Sequence, residues 1–166
     1  MERVMIIGSG GAGKSTLARE MGLRTGLPVF HLDAVYWKPG WEPTSREEWE
    51  LKIKEISCGA KWIIDGNYSG TMNIRLANAD TIIFLDYSRW VNMYGIVKRR
   101  MMYRKKTRPD MNEGCKERLD WAFIKWVWSF EREKAPQLRK KLQNFPDKEV
   151  HHFRNRKELK LWQSGL

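Results

Sequence analysis

Read from its residues alone, this chain of 166 amino acids should fold as a three-layer α/β/α domain around a five-stranded, mostly parallel sheet. Short apolar runs alternate with helix-like stretches along the whole length, which is the pattern of βα units. The runs at 4–7 and 82–85 contain no polar residue, as strands covered on both faces require. The first of them feeds a glycine-rich loop that opens directly into a helix.

In chain order, the first strand, Val4-Met5-Ile6-Ile7, leads into Gly8-Ser9-Gly10-Gly11-Ala12-Gly13-Lys14-Ser15-Thr16. A helix follows from about Lys14 to Arg24, with Leu17, Ala18 and Met21 on the sheet side and Gly26 closing it. Residues 27–32 read as a second strand ending at Asp33. A loop rich in aromatics, with Tyr36, Trp37 and Trp41, is broken by Pro39, Gly40 and Pro43. Ser45 answered by Glu48 is a capping box, opening a helix with Trp49, Ile53 and Ile56 on one face. Residues 61–66 form a third strand ending in Asp65 and Gly66, and 81–86 a fourth. From Ser88 a long helix carries Trp90, Tyr94, Val97 and Met101 at helical spacing and ends in a basic cluster: Lys98, Arg99, Arg100, Arg104, Lys105, Lys106 and Arg108, then Pro109. Arg100, Arg104 and Arg108 at i, i+4 and i+8 would share a face. The stretch 119–130 is apolar nearly all round as a helix, so it is buried or covered by a partner. Pro136 starts another helix, with Leu138, Leu142 and Phe145 inside; 149–153 is the last strand, and Arg154-Asn155-Arg156 leads into a closing helix with Leu159 and Trp162.

Composition bounds the rest. The length suits a single domain over 1–166, and no apolar run approaches a membrane span. The N-terminus passes from Met1-Glu2-Arg3 straight into a strand without a signal-peptide pattern, and Cys58 and Cys115 lack metal-type spacing, so a cytoplasmic protein with reduced thiols is expected. Residues 1–88 are net −1 and residues 89–166 net +12, so the positive field belongs to the second half. Such a field suits nucleic acid or a site that handles several phosphate groups.

The loop at 8–15 matches G-x-x-x-x-G-K-[ST], in which backbone N–H groups surround phosphates, the lysine reaches the β/γ-phosphates and the hydroxyl ligates Mg²⁺. The same residues spell G-x-G-x-x-G at Gly8, Gly10 and Gly13, with Asp33 at the distance of a dinucleotide-binding acid. Lys14 decides between them: a lysine in the first turn opposes the helix dipole by roughly 0.3–1 kcal/mol unless an anion meets it. The reading is therefore a P-loop that takes ATP with Mg²⁺. No Asn/Thr-Lys-x-Asp run reads guanine and no strand ends in Asp-Glu, whereas basic residues after the fourth strand suit a transferring phosphoryl group. Trp37 and Trp41 suit either the core or a stacking platform, and His31, His151 and His152 are read as strand residues.

On the runs 8–16, His31-Leu32-Asp33 with 36–41, Asp65-Gly66-Asn67-Tyr68-Ser69-Gly70 and Thr107-Arg108-Pro109-Asp110-Met111, the chain resembles the bacterial DNA topology modulation proteins, themselves similar to adenylate and shikimate kinases. The kinase resemblance implies an adenylate-kinase-like fold with a substrate-binding segment at about 33–58 and a basic helical lid at about 98–118. It implies that Asp33 orients the accepting hydroxyl, that Asp65 holds Mg²⁺ through water, and that Gly66 lies against the substrate. It further implies lid arginines Arg100, Arg104 and Arg108 that act on the transferring group, and Arg154 and Arg156 flanking the adenine. Asn67-Tyr68-Ser69 stands where adenylate kinases carry Phe-Pro-Arg, and Arg75 is the next arginine available to a substrate. The expected function is ATP-dependent phosphoryl transfer to a small molecule, with a DNA-binding ATPase as the alternative. The acceptor and the oligomeric state, a homodimer included, stay open.

Overall fold

The structure is a computed structural model that describes residues 1–104, 106–117 and 119–165. Five parallel strands form the main sheet in the order β2-β5-β1-β6-β7: β1 (Arg3–Gly8), β2 (Val29–His31), β5 (Trp62–Asp65), β6 (Thr81–Leu85) and β7 (Glu149–Phe153). A two-stranded antiparallel ribbon, β3 (Trp37–Lys38) with β4 (Glu42–Pro43), stands apart from it. The helices are α1 (Lys14–Thr25), α2 (Leu32–Tyr36), α3 (Arg46–Ser57), α4 (Met72–Asn78), α5 (Arg89–Met102), α6 (Trp121–Glu133), α7 (Ala135–Leu142) and α8 (Arg156–Gln163).

Alternation along β1 builds two cores. Met5 and Ile7 point into a layer with Trp49, Ile53, Leu76 and Phe130, while Val4 and Ile6 point into one with Leu17, Met21, Leu85 and Phe153. Helices thus cover both faces, and the interiors of the central strands are apolar because neither face meets water.

Three local expectations change. β2 ends at His31, and Leu32 begins the short helix α2, which puts Asp33 in a first helical turn and not at a strand end. The aromatic loop closes as the β3–β4 ribbon, with Gly40 and Trp41 at positive φ in its turn. The basic segment after β6 also departs from its spacing: α5 ends at Met102, so Arg104 and Arg108 lie beyond it and the shared face of Arg100, Arg104 and Arg108 does not form. Pro109 disfavours helix at the residue before it, and the chain turns back through an isolated bridge between Thr107 and Lys116. Lys105, part of that basic cluster, lies outside the described residues.

The inner face of α5 is Asn92, Gly95 and Ile96, which lie against the glycine loop, while Trp90, Tyr94, Val97 and Met101 face outward and are exposed. A Cβ added at Gly95 would sit 2.1 Å from the carbonyl oxygen of Gly11, so only glycine lets the helix backbone touch the loop. From the other side Phe123 and Val127 of α6 close on Gly10. The helix α6, nearly all apolar in sequence, buries Val127 and Phe130 and leaves Trp121 exposed.

Candidate active site

The carboxyl edge of the sheet, where open parallel sheets bind ligands, opens into a cleft of about 870 Å³. Its floor is the glycine loop between β1 and α1. Gly11 and Gly13 have positive φ, and Gly13 caps α1 without any side-chain hydrogen bond, so no side chain competes for the first-turn N–H groups. Of the predicted loop residues, Gly10, Gly11, Ala12, Gly13, Lys14, Ser15 and Thr16 line the cleft, and Gly8 and Ser9 lie beneath it.

Lys14 turns its Nζ onto the Ser9 carbonyl at 2.9 Å. Burial lowers its pKa, against the opposing charges of Asp65 and Asp33. Ser15 Oγ donates to Asp65 Oδ2 at 2.8 Å, and the other Asp65 oxygen meets His31 Nδ1. Burial opposes the imidazolium of His31, but the hydrogen bond and charge of Asp65 outweigh it and raise the pKa. Asp110 lines the same cleft; burial opposes its ionisation, and the Arg108 charge overcomes that and lowers its pKa. One hydroxyl and two carboxylates form a set of hard oxygen donors of the kind Mg²⁺ takes alongside phosphates and water.

Asp33 lines the same cleft, about half exposed. Tyr68 Oη donates to its Oδ1 at 2.9 Å, and the Arg108 guanidinium approaches its Oδ2 at 3.7 Å. Arg108 is itself buried, 3.0 Å from Asp110 and 2.9 Å from Glu117; Glu117 also receives Arg99 Nε at 2.9 Å. Burial lowers the pKa of Arg99 and raises that of Tyr68. Trp37 and Trp41 complete the wall edge to face, 5.4 Å between ring centres. The segment bearing Arg108 is tied to the ribbon: Asn112 Nδ2 donates to the carbonyls of Ala34 and Trp37 at 2.7 Å, and Trp41 Nε1 to that of Lys116 at 3.2 Å.

Other predicted site residues lie elsewhere. Arg75 is fully buried beneath the cleft, and its guanidinium donates to the carbonyls of Gly66, Asn67 and Tyr68. Burial takes its pKa down to about 9. No part of it reaches the space above Gly66, which does line the cleft. Arg100 donates to the Glu117 carbonyl and Arg104 is exposed; neither lines the cleft. Arg156 lines it and Arg154 does not.

Several cleft residues escaped the sequence reading. Arg99 stands one position before Arg100, which spacing selects, Asp110 and Glu117 sit in an irregular segment, and His31 has the sequence context of a plain strand residue. Asn67 holds the loop: its Oδ1 accepts from Gly8 N at 3.1 Å and its Nδ2 donates to Gly8 O at 2.8 Å. The usable signal was its place directly after Asp65-Gly66 at a strand end.

No family model and no curated protein sequence matches the chain. Among solved structures it is similar to a shikimate kinase from Acinetobacter baumannii in complex with shikimate, with a TM-score of 0.58 and 14% identity over 99% of this chain and 94% of that one. It is also similar to an unliganded sugar kinase from Janibacter sp. HTCC2649, with a TM-score of 0.49 and 18% identity over 100% of this chain and 92% of the other. No family model places it with the DNA topology modulation proteins. The likeness is one of architecture: five parallel strands with helices on both sides, the fold of the P-loop kinases.

Proposed function

We propose that the protein is an ATP-dependent phosphotransferase that moves the γ-phosphoryl group of ATP to a hydroxyl of a small molecule. The observation that carries this reading is that one cleft holds the Lys14 cation, the Ser15–Asp65 hydroxyl–carboxylate pair and the open carboxylate of Asp33. The glycine loop and Lys14 hold the triphosphate, the lysine leaving the Ser9 carbonyl for the β/γ-oxygens. Mg²⁺, when held by Ser15 and Asp65 with Asp110 beside them, neutralises phosphate charge. Asp33, fixed on one oxygen by Tyr68, accepts the proton of the acceptor hydroxyl. The acceptor oxygen then bonds to the γ-phosphorus as its bond to the bridging oxygen breaks, and ADP leaves. Arg108 and Arg99 stabilise charge on the transferring group, since positioning and electrostatics do most of the work in this chemistry. Arg156, Tyr87 and Leu159 also line the cleft and are the base-side candidates. The segment at 33–58 serves the acceptor and that at 98–118 covers the transfer.

The test is ADP release in the presence of nucleosides, nucleoside monophosphates, sugars, hydroxy acids and double-stranded DNA. Stimulation by one small compound, abolished in Lys14→Ala, supports the reading. Stimulation by DNA alone replaces it with the DNA-binding ATPase. The positive second half favours that alternative, and DNA affinity would then fall by powers of ten between about 50 and 200 mM salt.

A further inference from the structure

We infer that Glu117 is a positioning residue for phosphoryl transfer: its buried carboxylate pairs with Arg99 and Arg108 together and fixes the two guanidiniums side by side on the cleft. This rests on the phosphotransferase reading and extends it to a residue that acts through its neighbours.

The two arginines come from different parts of the chain. Arg99 lies in α5, whereas Arg108 follows it, beyond the end of the helix at Met102. Helix geometry therefore does not bring them together, and Glu117 does. Its Oε1 accepts from Arg99 Nε at 2.9 Å, and its Oε2 lies 2.9 Å from Arg108 Nε. With one oxygen for each arginine, the carboxylate plane sets the place of both. The backbone of Glu117 is held as well: its N–H donates to the Lys106 carbonyl at 3.1 Å, and its own carbonyl accepts from Arg100 Nη1. The side chain is 2% exposed, so water does not compete for either oxygen.

Charge makes the same demand. Burial destabilises the Arg99 cation, the neighbouring Arg108 charge adds to that, and the charge and hydrogen bond of Glu117 oppose both. Because Glu117 meets Arg108 at Nε, the terminal nitrogens turn elsewhere: Nη1 lies 3.0 Å from Asp110 and Nη2 3.7 Å from Asp33, and both of these carboxylates line the cleft. A guanidinium held at its inner nitrogen and presenting its outer ones is preorganised for a phosphoryl oxygen. Glutamine at 117 would keep the shape but offer one acceptor and one amide N–H₂ to two cations, so it could satisfy one arginine and would repel the other. The guanidiniums would then drift, and a displacement of about 1 Å in such a site can cost about 10²-fold.

The test compares two complexes of the full chain. Mg²⁺ with a non-hydrolysable ATP analogue reports the ground state, and Mg²⁺ with ADP and aluminium fluoride stands in for the phosphoryl group in transfer. Glu117→Gln should bind the analogue within threefold of wild type and the aluminium fluoride complex at least tenfold more weakly. Equal losses in both would make Glu117 a general support of the cleft, and no loss in either would leave it without a role; each overturns the inference. If Glu117→Gln shows no cooperative melt, Glu117→Asp takes its place, since it keeps the charge and falls one methylene short; a selective loss of at least threefold is then expected, and an unselective one overturns the inference. In an Arg99→Gln background, the loss caused by Glu117→Gln should be at least threefold smaller than in wild type, because residues that act together are not additive. The same loss in both backgrounds overturns the inference while leaving the phosphotransferase reading intact. A wild-type protein that binds the analogue and gains nothing with aluminium fluoride removes the phosphotransferase reading and this inference with it.

Discussion

Gly95→Ala is the substitution in which two opposing effects can be weighed with the distances at hand. In a helix interior, glycine to alanine should stabilise by roughly 1 kcal/mol through propensity alone. Here the added Cβ would lie 2.1 Å from Gly11 O and 2.8 Å from Gly11 C, against a normal carbon–oxygen contact of about 3.3 Å. Helix and loop must therefore part by about 1 Å. They cannot do so freely, because Phe123 and Val127 of α6 press on Gly10 from the other side. Overpacking of this kind costs about 1–3 kcal/mol, so the clash outweighs propensity and the variant loses about 1 kcal/mol net. The larger effect falls on the cleft, since a phosphate cradle displaced by about 1 Å should lose ATP affinity by roughly 10–100-fold. Urea unfolding gives the first quantity, and an ATP titration followed by tryptophan fluorescence gives the second. Gly22→Ala is the control: its Cβ meets a Val29 methyl at 2.4 Å, far from the loop, so stability falls while ATP affinity holds. A Gly95→Ala protein that is more stable than wild type and binds ATP within twofold of it would refute the reasoning.

Asn67→Ala removes both hydrogen bonds to Gly8, and urea unfolding should show a loss of about 1–2 kcal/mol together with weaker ATP binding; unchanged ATP affinity would deny Asn67 its hold on the loop. Arg75→Met takes the donors from the carbonyls of Gly66, Asn67 and Tyr68, and relief from burying a guanidinium offsets only part of the loss. A lower melting temperature is expected; an unchanged melt with a raised KM for the acceptor would return Arg75 to the substrate. Asp80 accepts from the Thr81 hydroxyl and the amides of Glu2 and Arg3, and these outweigh burial to lower its pKa. Its stabilisation is thus fully present above its unfolded pKa, about 3.9, and is lost as pH falls through the lower folded value. Thermal melts between about pH 2.5 and 6 should fall less steeply for Asp80→Asn than for wild type, and parallel curves would contradict the assignment.

The parts of the site that sequence exposes most clearly are those set by short-range rules. The glycine loop is local backbone geometry. The fully buried strands are apolar because both faces are covered, and Asp65 at the end of one of them lands beside Ser15 because β5 and β1 are parallel neighbours, with Asp65 opposite Ile6. The side of α5 that packs on the glycine loop is hidden for an equally physical reason. Apolar periodicity selects Trp90, Tyr94, Val97 and Met101, yet the face against the loop is chosen by how closely backbones approach, and it consists of Asn92, Gly95 and Ile96. Charge clusters mislead in the same way: spacing groups Arg100, Arg104 and Arg108, while tertiary closure of the segment bearing Asp110 and Glu117 draws Arg99 and Arg108 inward and leaves Arg100 and Arg104 outside the cleft. Arg75 illustrates the third limit, because a buried arginine that ties down carbonyls has no signature distinct from one that binds substrate.

The most direct measurement is on Asp33→Asn, with ATP affinity and phosphoryl transfer to an active acceptor determined on the same protein. Binding within about threefold of wild type with transfer slowed by 10²-fold or more is predicted, since a general base contributes roughly 10²–10⁴-fold. Transfer at the wild-type rate would contradict the placing of the acceptor hydroxyl at Asp33, and with it the division of this cleft into a nucleotide end and an acceptor end.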